Sequence, residues 1–492
     1  MSVADHAADR GRLRAAFVAL AACFAVACAP LTTEREVALG RGAARQVELE
    51  MGLVRDPELV AYVRALGGRL AALSPRTDLS YDFNVVDMAE ANAFALPGGH
   101  IYVSRGLLAL SNSEDELANV IGHEIGHVAG RHHAQQQARQ QQVGVLSTLG
   151  TLAAAVVGGA EAAQVVGQLG QVAGAGFLAA HSRDQEREAD EIGQALAASA
   201  GWNPSGMAEF LATLGRETTL ALGHKTYPSF LDTHPATPER VESAWARARS
   251  LARAPANPLA RDRVAFLGQL DGLVVDEDPA AGLFEGSVFR QPDLDFRVVF
   301  PQGWKTANTP SAVGAAAADQ SALIQLALAG SGSDPRAAAQ QALAKQEVPI
   351  VQHGPIAIGA LRGYQVRVSQ ASQQTKVGGL FTWIAHGGQI YRIECVAAEA
   401  RFASFAPLCA RTTQSFRPLD AADREAIRVH VLRVATARSG ESLAALGART
   451  GNVWSPERTA VANGLDAASG LRPDGRVKIA VSLPYRASAR ER

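Results

Sequence analysis

His123 and His127 stand four residues apart in the run NVIGHEIGHVAGRHH, Asn119 to His133, and Glu124 directly follows the first of them. On a helix, positions i and i+4 share a face, so both imidazoles can direct a nitrogen at one ion. Glu124, beside the first ligand and one turn short of the second, can reach a water held by that ion without binding the ion itself. That is the general-base position of a zinc peptidase. A zinc that does chemistry needs a third protein ligand and an open fourth position. Downstream, HSRDQEREADEIG carries Glu186 and Asp190 one helical turn apart. Glu186 can complete the ligand set while Asp190 hydrogen-bonds a ligand histidine from behind. Taken alone, EREAD also reads as a charged, solvated helix face, and HEIGH as a surface helix with polar residues.

The ligands need helices to carry them. Ser113 with Glu116 three residues on forms a capping box at the start of SEDELANVIGHEIGH, and Leu117, Val120, Ile121 and Val128 give that helix an apolar stripe. The first motif therefore sits on a buried helix. Upstream, Thr32 to about Arg76 is charged and helical in pattern, with Leu59, Val63, Leu66, Leu70 and Leu73 at helical spacing. The period then changes in YDFNVVDMAEANAFALPGGHIYVSRGLL. Phe83, Val85, Ile101 and Val103 alternate as strands do and Pro97-Gly98-Gly99 supplies a turn, so two strands should lead into the motif helix.

Four segments in this order, NAFALPGGHIYVSRGLL, HEIGH, SRDQEREAD and THPATPERV, resemble the membrane-associated zinc endopeptidases of the CAAX prenyl protease and HtpX family over about residues 34 to 250. The resemblance implies a mostly helical, gluzincin-type metallopeptidase domain with a small β-sheet, and one Zn2+ per chain. It implies that His123, His127 and Glu186 bind the metal, Glu124 is the base and Asp190 supports a ligand. The strand Gly99, His100, Ile101, Tyr102 and Val103 would be the sheet edge along which an extended substrate pairs, main chain to main chain. His100, His132 and His133 would be solvated. The stretch LDTHPATPER lies over the active site in the family, and Pro235 keeps His234 extended on a loop. There His234 can take the fourth zinc position and hold the enzyme off until substrate lifts the loop. Arg240 would then stabilise the oxyanion on the scissile carbonyl. The alternative is that His234 merely caps or hydrogen-bonds the following helix.

A chain of 492 residues is too long for one core and must be multidomain. A formal charge of -1 and the lack of like-charge blocks argue against a nucleic-acid partner. At the start, Arg10, Arg12 and Arg14 precede AAFVALAACFAVACAP, which is too short to span a bilayer and reads as a secretion signal. Cys28 follows small residues with no charge in the preceding ten positions, as in a bacterial lipoprotein signal over 1-28, and would carry the lipid. Cys23, closer to Arg14, ranks second, and an ordinary signal peptide is the alternative. The expected location is the periplasm, anchored by lipid to a membrane, the outer one foremost. This start and the lack of clear spans point to the periplasmic branch of the family, that of the beta-barrel assembly-enhancing protease. Cys395 and Cys409 then form an even pair in an oxidising compartment, for which one disulfide is expected and two buried free thiols are the alternative. The apolar stretch from Val143 to Ala180, with Glu161 its only charged residue, favours helices packed on the protein or resting on a membrane surface.

The organisation expected is a signal over 1-28, a peptidase domain over 29-251, a Pro/Ala/Arg-rich linker over 252-284, an antiparallel α+β domain over 285-418 and a βααβ unit over 419-486. The last resembles a degenerate LysM module, which implies peptidoglycan as a further partner; a protein-docking module is the competing reading. The whole is an α+β multidomain chain. Its expected function is zinc-dependent degradation of misfolded or stalled envelope proteins in the periplasm, with unfolded or misassembled envelope proteins as substrates. The rival is a non-catalytic envelope chaperone or scaffold anchored to the cell wall, which would have no need of Glu124.

Overall fold

A computed structural model of the chain describes residues 32–487 except 134, 136–180, 221–228, 236, 345–348, 372–375 and 468–469. Cys28 and the apolar 143–180 stretch lie outside the described residues, among which no helix is long and apolar enough to cross a membrane.

Helices Thr33–Met51 (α1) and Pro57–Ala71 (α2) are each started by a side-chain cap, Thr32 accepting from Arg35 N and Asp56 from Glu58 N and Leu59 N. Leu59, Val63, Leu66 and Leu70 line the buried face of α2 as their spacing predicts, while Leu73 falls beyond its end and is exposed. Strands Asp82–Val86 (β1), Ala93–Leu96 (β2) and His100–Ser104 (β3) form a sheet of order β1-β3-β2, with β1 parallel and β2 antiparallel to β3. Two strands were expected here. The additional one, AFAL, is buried at every position and so lacks the alternation that marks a half-exposed strand. Ser104 caps the short helix Arg105–Leu110 (α3), and Ser113 caps Glu114–Ala129 (α4) by accepting from Glu116 N at 3.2 Å. Only half of the expected capping box forms, because Glu116 reaches past Ser113 to take Asn112 N at 2.8 Å.

The second motif lies on Arg183–Ser199 (α5), which opens with a complete capping box between Ser182 and Gln185. It crosses α4 backbone to backbone. A Cβ on Gly126 would stand 2.7 Å from the Ala189 carbonyl oxygen, and one on Gly193 would stand 2.5 Å from His123 N. Only glycine permits such an approach, and it puts the two motif faces within reach of each other. Helices Gly206–Leu220 (α6), Phe230–Thr233 (α7) and Pro238–Ser250 (α8) complete this layer, with His234 directly after the one-turn α7. Leu117, Val120, Ile121 and Ile125 on α4 are fully buried against α2, β3 and α6, each contributing roughly 2 kcal/mol of burial.

Residues 252–284 do not behave as a linker. Leu259 N and Ala260 N donate to the Glu114 carboxylate, and Phe266 and Leu267 of helix Arg263–Gln269 (α9), with Leu270, are fully buried in the peptidase-side core. The proline-rich run 252–258 is irregular and mostly exposed, and burial begins at Leu259 and Ala260. The short strand Val274–Val275 (β4) closes this stretch.

The α+β unit begins with a small sheet of Leu283–Glu285 (β5), Val288–Gln291 (β6) and Phe296–Val299 (β7). Strands Lys305–Asn308 (β8), Ala312–Ala316 (β9), Ala322–Ser331 (β10), Ile350–Ile358 (β11), Leu361–Ala371 (β12), Lys376–His386 (β13) and Gln389–Ala398 (β14) build a seven-stranded antiparallel sheet of order β11-β12-β13-β14-β10-β9-β8. Helices Pro335–Leu343 (α10) and Glu399–Gln414 (α11) pack on it, as the sequence pattern predicts. Cys395 on β14 and Cys409 on α11 share its core as free, buried thiols in hydrogen-bond contact; the bridge expected between them is not formed. Burial first, then that contact, pushes the Cys395 thiol well above its usual range.

After the short helix Ala421–Ala426 (α12), the chain ends in strand Arg428–Thr436 (β15), helices Leu443–Thr450 (α13) and Pro456–Ala462 (α14), and strand Arg476–Pro484 (β16), the expected βααβ order. This unit is docked on the peptidase side. β15 pairs with β16 and with β4, and Leu432, Trp454, Val461 and Ala480 belong to the same core as α2 and α4. Lys478 is fully buried and donates from Nζ to the carbonyls of Ala109, Leu110 and Ser111 at 2.7, 3.1 and 2.6 Å. Three acceptors satisfy the three donors of an ammonium and close the C-terminal end of α3.

Candidate metal centre

Helix α4 presents His123 Nε2 and His127 Nε2 2.9 Å apart. Across from them, Glu186 on α5 places Oε1 3.4 Å from His127 Nε2 and Oε2 3.6 Å from His123 Nε2. His234 brings Nδ1 to 2.9 Å from Glu186 Oε1 and 3.3 Å from His123 Nε2. These four residues are buried, and their donor atoms all lie within 4.8 Å of one another. Donors arranged tetrahedrally at the usual zinc distances sit about 3.3 Å apart, so the residues fit a metal ion. Glu124 gives a second sign. Both of its carboxylate oxygens are buried without a hydrogen-bond partner among the described residues, and His234 Nε2 stands 3.7 Å from Oε1. A buried carboxylate left this way is costly, and a water admitted between it and the metal position would be the donor that satisfies it. Burial raises the Glu124 pKa, with the charges of His234 and His123 working against it.

Behind these side chains, Asp190 Oδ1 stands 2.9 Å from His123 Nδ1. Arg240 clamps both carboxylates, with Nε and Nη2 at 2.7 and 2.8 Å from Asp190 and Nη1 at 2.7 Å from Glu186 Oε2. Burial works to raise the Asp190 pKa, and the Arg240 charge outweighs it and holds the group down to about 2. Glu186 is likewise held well below its usual range, burial being overcome by His234 and by hydrogen bonds from His127 and His234.

Residues 57–248 match peptidase family M48. They form an M48 domain. The beta-barrel assembly-enhancing protease of Yersinia pestis is 32% identical over 226 residues, covering 45% of this chain and 46% of its own. The one from Escherichia coli is 30% identical over 228 residues, 45% of each chain. The mitochondrial metalloendopeptidase OMA1 of Schizosaccharomyces pombe is 34% identical over 182 residues, 37% of this chain and 50% of its own. The chain spans about half the length of these relatives.

Within the M48 domain the structure corrects three expectations. Gly99 to Val103 does not offer a sheet edge, because His100–Ser104 is the central strand, paired on both sides. The edge strand next to α4 is β2, but it is buried at every position and the Ala95 main chain is hydrogen-bonded by the His133 ring. Ser104 N donates to the Asn92 carbonyl at 2.8 Å, so antiparallel alternation turns the main-chain groups of Ala93 and Ala95 away from β3. Arg240 does not stand ready for an oxyanion: the clamp engages Nε and both terminal nitrogens, and Nη1 also donates to the His234 carbonyl at 3.3 Å. His132 is fully buried and His133 half-buried, where solvated side chains were expected. Sequence reasoning also missed His181, whose ring stacks on His127 at 3.9 Å between centroids. It immediately precedes the Ser182 cap, but nothing in its local sequence marks which ring it meets.

Proposed function

We propose that the chain is a zinc-dependent endopeptidase that degrades misfolded or stalled proteins of the bacterial envelope from the periplasmic side, held at the outer membrane by lipid on Cys28. The observation that carries the reading is the meeting of His123, His127 and Glu186 around one point, with the unpartnered Glu124 carboxylate facing it. The envelope setting draws on the signal-like start and on relatives named beta-barrel assembly-enhancing proteases.

Bound zinc would polarise the scissile carbonyl and acidify a water. Glu124 takes the proton from the attacking water and returns it to the leaving amine. Asp190 fixes the tautomer of His123, and Arg240 keeps Asp190 ionised and pairs with Glu186. An extended substrate would be held main chain to main chain. Strand addition grips backbone regardless of side chain, which suits unfolded clients. His234 holds the fourth position in the resting state. Glycan binding by the βααβ unit rests on its LysM resemblance alone, and its packing on the M48 domain favours the docking reading.

The test is zinc content together with casein cleavage by the wild type and by Glu124→Gln. One zinc per chain in both, with cleavage only by the wild type, is the expected result. A zinc-free wild type, or near-normal cleavage by Glu124→Gln, overturns it.

A further inference from the structure

We propose that His132 is a positioning residue for the metal ligand His127, and that Glu188 positions His132 in turn. The proposal rests on the metal-site reading above and concerns a side chain that the HExxH pattern does not include.

Helix α4 stops at Gly130, and Arg131 takes a φ of +54°, a left-handed conformation uncommon for a residue with a side chain. That turn reverses the chain, so His132 folds back onto the helix it has just left. Gly130 leaves the room for it: a Cβ there would stand 2.4 Å from His132 Nε2. The ring is fully buried, with Nδ1 2.8 Å from His127 Nδ1 and Nε2 3.3 Å from Glu188 Oε2 on α5.

Two ring nitrogens at 2.8 Å require one donor and one acceptor. His127 Nε2 faces Glu186 and His123 Nε2 and needs its lone pair there, so its proton is on Nδ1. His127 therefore donates to His132 Nδ1. His132 then carries its own proton on Nε2 and gives it to Glu188. One chain of contacts thus sets both tautomers, as Asp190 and Arg240 do for His123. Without His132, the His127 Nδ1–H would be buried with no acceptor and its ring would be free to turn.

The measurement is zinc affinity of the full chain by competition with a chromophoric chelator. His132→Leu fills the space without an acceptor and is expected to weaken zinc binding about 10- to 100-fold. His132→Asn places an amide oxygen near the position of Nδ1 and is expected to restore most of the affinity. Equal affinity of His132→Leu and wild type overturns the proposal, as does a loss in His132→Asn as deep as in His132→Leu. Should His132→Leu not fold, Glu188→Ala, at a half-exposed side chain, is expected to weaken binding several-fold, and an unchanged constant overturns the relay. A wild type that binds no zinc instead removes the metal-site reading itself, so the two failures are distinct.

Discussion

The main-chain N–H of Phe230 donates to the carbonyl of Ala91 at 2.8 Å, four residues before His234 enters the metal cluster. One short segment thus reaches the chain leading into β2 and sets His234 beside Glu186 and His123. On the reading proposed above, lifting that segment would open the metal position. His234→Ala should therefore raise basal cleavage of unfolded casein. Unchanged basal activity would favour a purely structural role, such as the stacking of His234 on Phe230 at 4.4 Å between centroids.

Arg240→Ala should be severe. It leaves Glu186 and Asp190 buried without their counter-charge, and breaking such a cluster costs about 3–5 kcal/mol. Arg240→Lys restores the charge but not the two-pronged grip, so it should recover only part of that loss. Thermal melts of zinc-free protein read this directly, and an unshifted melt for Arg240→Ala would refute the clamp.

Cys395 and Cys409 stand as free thiols in contact in one core, so an oxidant that reaches them should join them in a disulfide. For a loop this short the chain-entropy gain is about 3 kcal/mol. Thiol labelling after denaturation without reductant decides the matter, since two labelled cysteines in oxidant-treated protein contradict the bridge.

Asp276 ties the βααβ unit to the segment that follows β4, accepting from Arg458 Nη2 at 2.7 Å and standing 3.0 Å from His430 Nδ1. Burial works to raise its pKa, but the Arg458 charge foremost outweighs that and lowers it. A folded pKa below the unfolded one gives stability that is present above about pH 4 and is lost as pH falls through the lowered value. Asp276 has a φ of +61°, which asparagine tolerates. Asp276→Asn should therefore flatten the acid side of the melting-temperature profile, and an unaltered slope would exclude this group.

The sequence by itself determined the parts of this protein that depend on local periodicity. His123, His127 and Glu124 share a helix face because four residues make about one turn, and Glu186 and Asp190 follow the same rule on α5. Serines 104, 113 and 182 start their helices through contacts within three residues, and the alternating strands and the βααβ order were legible for the same reason. Tertiary structure decided what those parts meet. Strand order is set by pairing between distant segments, which put β3 in the centre of its sheet and left the edge to β2. Gly126 and Gly193 were visible as letters, but the close crossing they permit exists only once α4 and α5 are brought together. Arg240 was spent on two carboxylates from another helix, His132 was turned inward by a left-handed residue, and Lys478 found its acceptors more than three hundred residues away. Each of these depends on burial and partners that no local spacing encodes, because a buried polar group is placed by whatever satisfies it across the fold.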